Sequence, residues 1–217
     1  MSSVNVILPC LDEAAALPGV LAAIPGDYRA IVVDNGSADG SPEVAADHGA
    51  QVLHETRRGY GAAVHTGLEA ADAEIVCFLD ADGSMDAAVL PELVERVRSG
   101  TADLSVGRRV PTTRGAWPWH AQAGNAVLAG LLRRRGLPVH DIGPVRCARR
   151  QELLDLGVQD RAFGYPLELL LRAQQAGWRV AELPIDYRPR TAGTRSKVTG
   201  SVKGTTRAVR DMARVMR

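Results

Sequence analysis

Ile75-Val76-Cys77-Phe78-Leu79-Asp80-Ala81-Asp82-Gly83-Ser84 decides how this chain folds: an apolar run, readable as a buried strand, delivers two carboxylates one residue apart at its end. Alternate residues on a strand share a face, so Asp80 and Asp82 converge on one hard cation while Ala81 leaves room between them. A cation in that place suits a diphosphate.

Working outward, apolar runs alternate with helical patterns. Val4 to Leu8, Ala30 to Val33, Gln51 to His54, Glu74 to Leu79 and Leu104 to Val106 read as strands. Between them, Ala14 to Ala23, Pro42 to His48, Gly61 to Ala71 and Ala87 to Arg98 read as helices. A βαβ series of this kind makes a mostly parallel sheet flanked by helices, and its ligands bind beyond the carboxyl ends of the strands. Those ends carry Pro9, Asp34-Asn35-Gly36-Ser37 and the two aspartates. After Arg109 the pattern changes to a Gly/Pro/Trp-rich loop, a helix over Gln122 to Arg135, a turn at Asp141 to Pro144, a helix over Glu168 to Gln175 and a strand at Val180 to Leu183. A basic, turn-rich stretch follows, then an amphipathic helix from Val202 to Met216.

The chain has 217 residues, enough for a sizeable core in one domain. The expected boundaries are 1–188 for that domain, with 1–109 and 110–188 as its two halves, and 189–217 for the basic tail. Its net charge of +1 hides an asymmetry: residues 1–100 hold 5 arginines against 16 acids, whereas residues 101–217 hold 21 Arg plus Lys against 9. An acidic half suits a metal, and a basic half suits phosphates or a membrane surface. Three scattered cysteines suggest neither a disulfide framework nor a zinc site, and hence a reducing compartment. No apolar stretch is long enough to span a bilayer and no secretory leader opens the chain, so a cytoplasmic protein is expected.

Five segments in order then carry a resemblance: Ile7 to Glu13, Val32 to Gly40, Gly59 to Ala63, Leu79 to Asp82 and Val106 to Arg109. Together they resemble the family 2 glycosyltransferases of GT-A fold. Downstream, Gly124-Asn125, Asp141 to Arg146, Gly164 to Glu168 and Arg195-Ser196-Lys197 are most similar to the dolichyl/polyprenyl-phosphate sugar synthase branch. The resemblance implies an α/β, GT-A-like (Rossmann-like) single domain and an inverting transfer of one hexosyl group from a UDP- or GDP-sugar.

It also implies roles. Asp80 and Asp82 are expected to hold Mg2+ or Mn2+, offsetting the charge that grows on the leaving nucleotide. Donor binding is expected at Pro9, Leu11, Glu13, Asp34 and Asn35 around the nucleoside, at Arg58 and Gly59 where small residues let backbone amides approach a phosphate, and at Ala81. Arg108 and Arg109 are placed to clamp the acceptor phosphate, with one expected to point inward and one to solvent, and Arg109 is the candidate site residue. Asp141 is the carboxylate beside the acceptor, a general base for a hydroxyl and only a positioning group for an already ionised phosphate. Arg195 and Lys197 lie on a loop expected to close over the diphosphate.

Trp117-Pro118-Trp119 stands where such synthases carry Ser and Arg, and offers flat surfaces for stacking a sugar, nucleoside or aromatic acceptor. The leading acceptor is a polyprenyl phosphate; the alternatives are a soluble small-molecule hydroxyl with Asp141 as base, or a non-catalytic nucleotide-sugar-binding protein. A nucleotidyltransferase is disfavoured because Pro9-Cys10-Leu11-Asp12 replaces its glycine-rich loop. Peripheral membrane contact and a homodimer are left open, and no nucleic-acid partner is expected.

Overall fold

A computed structural model describes residues 4–194, 210–212 and 214–215. One seven-stranded sheet runs through it in the order β3-β2-β1-β4-β6-β5-β7. Strands β1 (Val4–Cys10), β2 (Arg29–Asp34), β3 (Gln51–His54) and β4 (Ile75–Phe78) pair in parallel. Helices α1 (Leu17–Ala22), α2 (Ser41–Asp47) and α3 (Tyr60–Ala70) link them, and α4 (Leu90–Arg98) leads to β5 (Leu104–Pro111). The inner strands β1 and β4, and β2 over Ile31–Asp34, are buried on both faces, which is why they read as apolar runs, whereas β3 at the edge is only partly covered.

Alternate side chains of the sheet feed two apolar layers. Val4, Val6 and Leu8 pack with Leu17, Leu90 and Leu93 from α1 and α4. On the other face, Ile7, Ile31 and Phe78 meet Val64 and Leu68 of α3 and Leu169 and Leu170 of α7 (Tyr165–Gln175). Sandwiching the sheet between helices in this way puts all parallel carboxyl ends on one rim.

The second half departs from expectation. A strand, β6 (Arg146–Arg149), runs antiparallel between β4 and β5, followed by α6 (Arg150–Asp155); β7 (Val180–Tyr187) then closes the edge in parallel with β5. Sequence reading assigns no element here, because a four-residue strand bounded by two arginines lacks an apolar run. The cysteine reading also needs correcting. Cys77 and Cys147 are directly opposed on β4 and β6 and form a disulfide across 70 residues of sequence, while Cys10 stays a buried thiol.

Helix α5 (Trp119–Arg134) starts three residues earlier than its periodicity suggests. Among the described residues no helix is long and apolar enough to cross a membrane.

Candidate active site

The loops after β1 and β2 are stitched together. Asp12 N–H donates to Ser37 Oγ at 2.9 Å, Ala38 N–H to Asp12 Oδ1 at 2.9 Å, Glu13 N–H to Ser41 Oγ at 2.9 Å and Ala14 N–H to Asp39 Oδ2 at 3.0 Å. Asp34 accepts from Gly36 N–H at 3.1 Å and Ser37 N–H at 3.0 Å. Burial opposes its charge, but these bonds win and hold its carboxyl below the ordinary range. The Asn35 amide donates to Glu55 O and Arg57 O, both at 2.9 Å, and accepts from Gly59 N–H at 2.8 Å. Asn35 lines the cavity described below, whereas Asp34 sits behind it, and both side chains spend their bonds on the loops themselves.

The start of α3 is used differently from expectation. Gly61 and Ala62 donate their N–H groups to Ala162 O at 3.0 Å and Arg161 O at 2.9 Å. A Cβ on Gly59, whose φ is 152°, would lie 2.1 Å from Arg161 O. The glycines therefore admit the 160–164 segment to close contact, and the two amides beyond them are taken by protein carbonyls rather than offered to a phosphate. Glu168 secures that segment, accepting from Gln159 N–H at 2.9 Å and Asp160 N–H at 2.6 Å. Arg58 lies over Gly36 and donates to Asn35 O at 2.9 Å.

Between these loops and the second half lies a cavity of about 490 Å³. Its acidic end gathers Glu13, Asp80 and Asp82 at the rim of β1 and β4. Burial, with the like charge of Asp82 beside it, pushes the Asp80 carboxyl up to about 6. Asp82 accepts from Ser84 N–H at 2.8 Å and pairs through its other oxygen with Arg190 at 2.8 Å. Arg190 also reaches Glu13 Oε1 at 3.3 Å, so one guanidinium is seated between two acids.

Such an end asks for positive charge. Two hard carboxylates with an unfavourable mutual charge, one already holding a cationic side chain, form a donor set that fits Mg2+ or Mn2+. No group of three or more His, Cys, Asp and Glu among the described residues makes a ready metal cage. A divalent ion held by Asp80 and Asp82 would then complete its shell with substrate phosphates and water.

The opposite end is arranged around one arginine. Arg109 donates to Asp141 from Nε at 2.9 Å, from Nη2 at 2.7 Å and from its backbone N–H at 2.8 Å, and Gly143 N–H adds a bond at 3.0 Å. Burial opposes ionisation of Asp141, yet Arg109 holds it below the ordinary range, ionised and fully engaged. The Arg109 guanidinium lies 3.9 Å from the Trp117 ring centre and 5.6 Å from that of Tyr187. Of the two arginines, Arg109 points inward and Arg108 is the more exposed.

The 140–142 loop carrying Asp141 is fixed by Glu182, which sequence reading did not single out, and by Asn125, which belonged to the resemblance but was given no role. Glu182 on β7 accepts from His140 N–H at 2.6 Å and Asp141 N–H at 2.9 Å, and Asn125 on α5 accepts from Ile142 N–H at 3.0 Å. Beneath lies Arg146, fully buried on β6; it donates to Ile142 O, and its Nε and Nη1 have no hydrogen-bond partner among the described residues. Burial lowers its pKa, while the carboxylates of Asp141 and Asp80 oppose that shift.

The cavity thus brings together Pro9, Leu11, Glu13, Asn35, Arg58, Gly59, Asp80, Ala81, Asp82 and Arg109. Asp34 and Asp141 stand one layer behind. Arg195, Lys197 and most of the expected C-terminal helix lie outside the described residues. Arg190 was missed, because its acidic partners are far away in sequence, 177 residues in the case of Glu13. Trp117, expected to offer a face to a ligand, instead stacks on Arg109, and Trp119 is exposed. Ala121 and Leu128 of α5, with Ile142, Pro144, Phe163 and Met212, supply the apolar part of the same cavity's lining, its apolar arm.

An α/β sheet with paired acids at its carboxyl rim has the architecture of the GT-A glycosyltransferases. The family model for Glycosyl transferase family 2 matches residues 5–157, and the chain belongs to that family. It is 57% identical over 215 residues to an uncharacterized glycosyltransferase of Mycobacterium tuberculosis, covering 99% of this chain and 98% of that one. A dolichyl-phosphate hexose transferase of Haloferax volcanii is 34% identical over 194 residues, covering 88% and 85%. Among solved structures, glucosyl-3-phosphoglycerate synthase from Mycobacterium tuberculosis, in complex with Mn2+, UDP and glucosyl-3-phosphoglycerate, superposes with a TM-score of 0.79 at 22% identity, covering 99% of this chain and 78% of that one.

Proposed function

We propose that this glycosyltransferase moves a hexosyl group from a UDP- or GDP-sugar to a polyprenyl phosphate, with inversion at the anomeric carbon. The observation that carries the acceptor is the Arg109–Asp141 pair. Its carboxylate is saturated by three donors from Arg109 and one from Gly143, so it is a poor proton acceptor for a hydroxyl. A phosphate needs no base: its oxygen is already anionic, and Arg109, whose Nη1 is not used on Asp141, faces it next to an apolar arm that accommodates a hydrocarbon. The relative named for dolichyl phosphate supports this reading.

In the proposed reaction a phosphate oxygen attacks the anomeric carbon, a new C–O bond forms, and the bond to the nucleoside diphosphate breaks on the opposite face. Asp80 and Asp82 would hold Mg2+ or Mn2+, which supplies positive charge to the departing diphosphate. Arg190, already between Glu13 and Asp82, adds a second cation at that end. Asp141 keeps Arg109 flat, ionised and aimed; it positions rather than abstracts.

Purified protein given radiolabelled UDP- and GDP-sugars with a polyprenyl phosphate is expected to form a lipid-linked sugar, to lose that activity in EDTA and to regain it with Mn2+ or Mg2+. Transfer to a soluble acceptor such as phosphoglycerate, with none to the lipid, overturns the acceptor assignment. Transfer unaffected by chelation overturns the metal.

A further inference from the structure

Among the described residues only three large apolar side chains are exposed, and two of them, Trp119 at 80% and Val127 at 64%, are on α5. They belong to one stripe. At 100° per residue, Trp119, Ala123, Ala126, Val127 and Gly130 fall on a single face, continued at its carboxyl end by Arg133 and Arg134. The two alanines and both arginines are exposed. The opposite face is the one that meets the protein: Ala129 and Leu132 are buried, while Ala121 and Leu128 line the apolar arm of the cavity. A helix apolar on both sides, with only one side covered, has a second partner.

The charge around it identifies that partner. From Leu104 to His140 the chain carries six arginines and no acidic residue. Arg114 precedes the stripe, and Arg133, Arg134 and Arg135 end it; all four are exposed. A tryptophan at one end, small apolar residues over about 16 Å and arginines at both margins match a bilayer interface, where indole sits at headgroup level and guanidinium meets lipid phosphate.

We infer that α5 is the membrane-docking face of this protein and takes an anionic lipid surface along the Trp119–Arg134 stripe. The inference rests on the polyprenyl-phosphate reading and deepens it. The helix that would lie on the lipid also walls the apolar arm, so an isoprenoid chain would pass from the bilayer along α5 while its phosphate stays at Arg109.

Sedimentation with vesicles free of polyprenyl phosphate tests docking separately from acceptor chemistry. The intact protein is expected to bind vesicles of phosphatidylcholine and phosphatidylglycerol in equal parts, and not phosphatidylcholine alone. Arg134→Glu is expected to weaken binding roughly fivefold or more, and Trp119→Ala with Val127→Asp about tenfold or more, each with an unchanged melting temperature and unchanged transfer to a detergent-dispersed short-chain prenyl phosphate. Trp119 emission should shift to the blue on the anionic vesicles and not on the neutral ones.

Failure to bind anionic vesicles, or binding indifferent to these substitutions, overturns the docking face while leaving the acceptor standing if transfer in detergent persists. Self-association lost in Trp119→Ala, without vesicle binding, would assign the stripe to a second copy and overturn it equally. Vesicle binding with no transfer to any prenyl phosphate removes the acceptor reading and leaves the docking face.

Discussion

The end of the cavity built by β1, β2 and β4 holds acids whose charges oppose one another. The end built by β5, β6 and β7 holds one arginine whose charge is already matched by Asp141 and covered by Trp117. In the first, Asp80 is driven towards protonation by burial and by Asp82, so a bound cation removes a penalty. In the second, the ion pair stands complete without ligand. The difference teaches that the donor end is finished by what binds there, while the acceptor end is preorganised, its loop tied down by Glu182 and Asn125.

The sharpest way to break that contrast is at the acids. Asp80→Ala and Asp82→Ala are each expected to cut transfer about a thousandfold, the scale of removing a main electrostatic stabiliser of the leaving group. Thermal melts should stay close to the parent for Asp80→Ala, which relieves repulsion, and fall modestly for Asp82→Ala, which frees Arg190 and the Ser84 amide. Transfer within tenfold of the parent in either variant would mean that the acidic end is not completed by a cation.

At the other end Arg109→Lys keeps a charge but gives up the two-pronged bond to Asp141 and the flat contact with Trp117. A loss of about a hundredfold in kcat/KM for the acceptor is expected, with the donor KM nearly unchanged. An equal rise in both KM values would erase the distinction between the two ends.

Asp141→Asn separates positioning from base catalysis. It is expected to cost about 3 kcal/mol of stability, because a buried guanidinium loses its counter-charge, and about tenfold in rate. The decisive readout is the pH profile of kcat/KM, which keeps its shape if Asp141 only positions. Loss of its acidic limb, the fall in rate as a catalytic base becomes protonated, would make Asp141 a base after all.

The two ends were also unequally legible. Asp80 and Asp82 follow a strand buried on both faces, whose apolar run announces itself, and the loops of the donor end close over short sequence distances. The acceptor end depends on β6, where Arg146 and Arg149 flank two small buried residues and no hydrophobic period exists to read. Only pairing with β4 and β5 makes it a strand. The same holds for Cys77 with Cys147 and Arg190 with Glu13, contacts set by sheet order rather than local pattern. The stretch after β2 was recognised but its roles were blurred: a motif shows which residues matter, not whether they face the ligand or the loop.

Asp34→Asn probes that last point and should give the smallest effect. Asparagine keeps one acceptor for the Gly36 and Ser37 amides but loses the charge that makes both bonds strong, so a stability loss of about 1 kcal/mol is expected. Because the folded carboxyl titrates below its ordinary value near 3.8, the advantage of aspartate is fully present above that value and fades as pH falls through the lowered one. Urea unfolding curves of the two proteins should therefore differ at about pH 7 and draw together as the pH falls below 3.8. The donor KM should move less than about threefold, since the side chain stands behind Asn35 and spends its bonds on the turn. A tenfold rise in donor KM without a stability change would instead make Asp34 a nucleoside contact, and the donor end would then read its ligand with the same residues that build its loops.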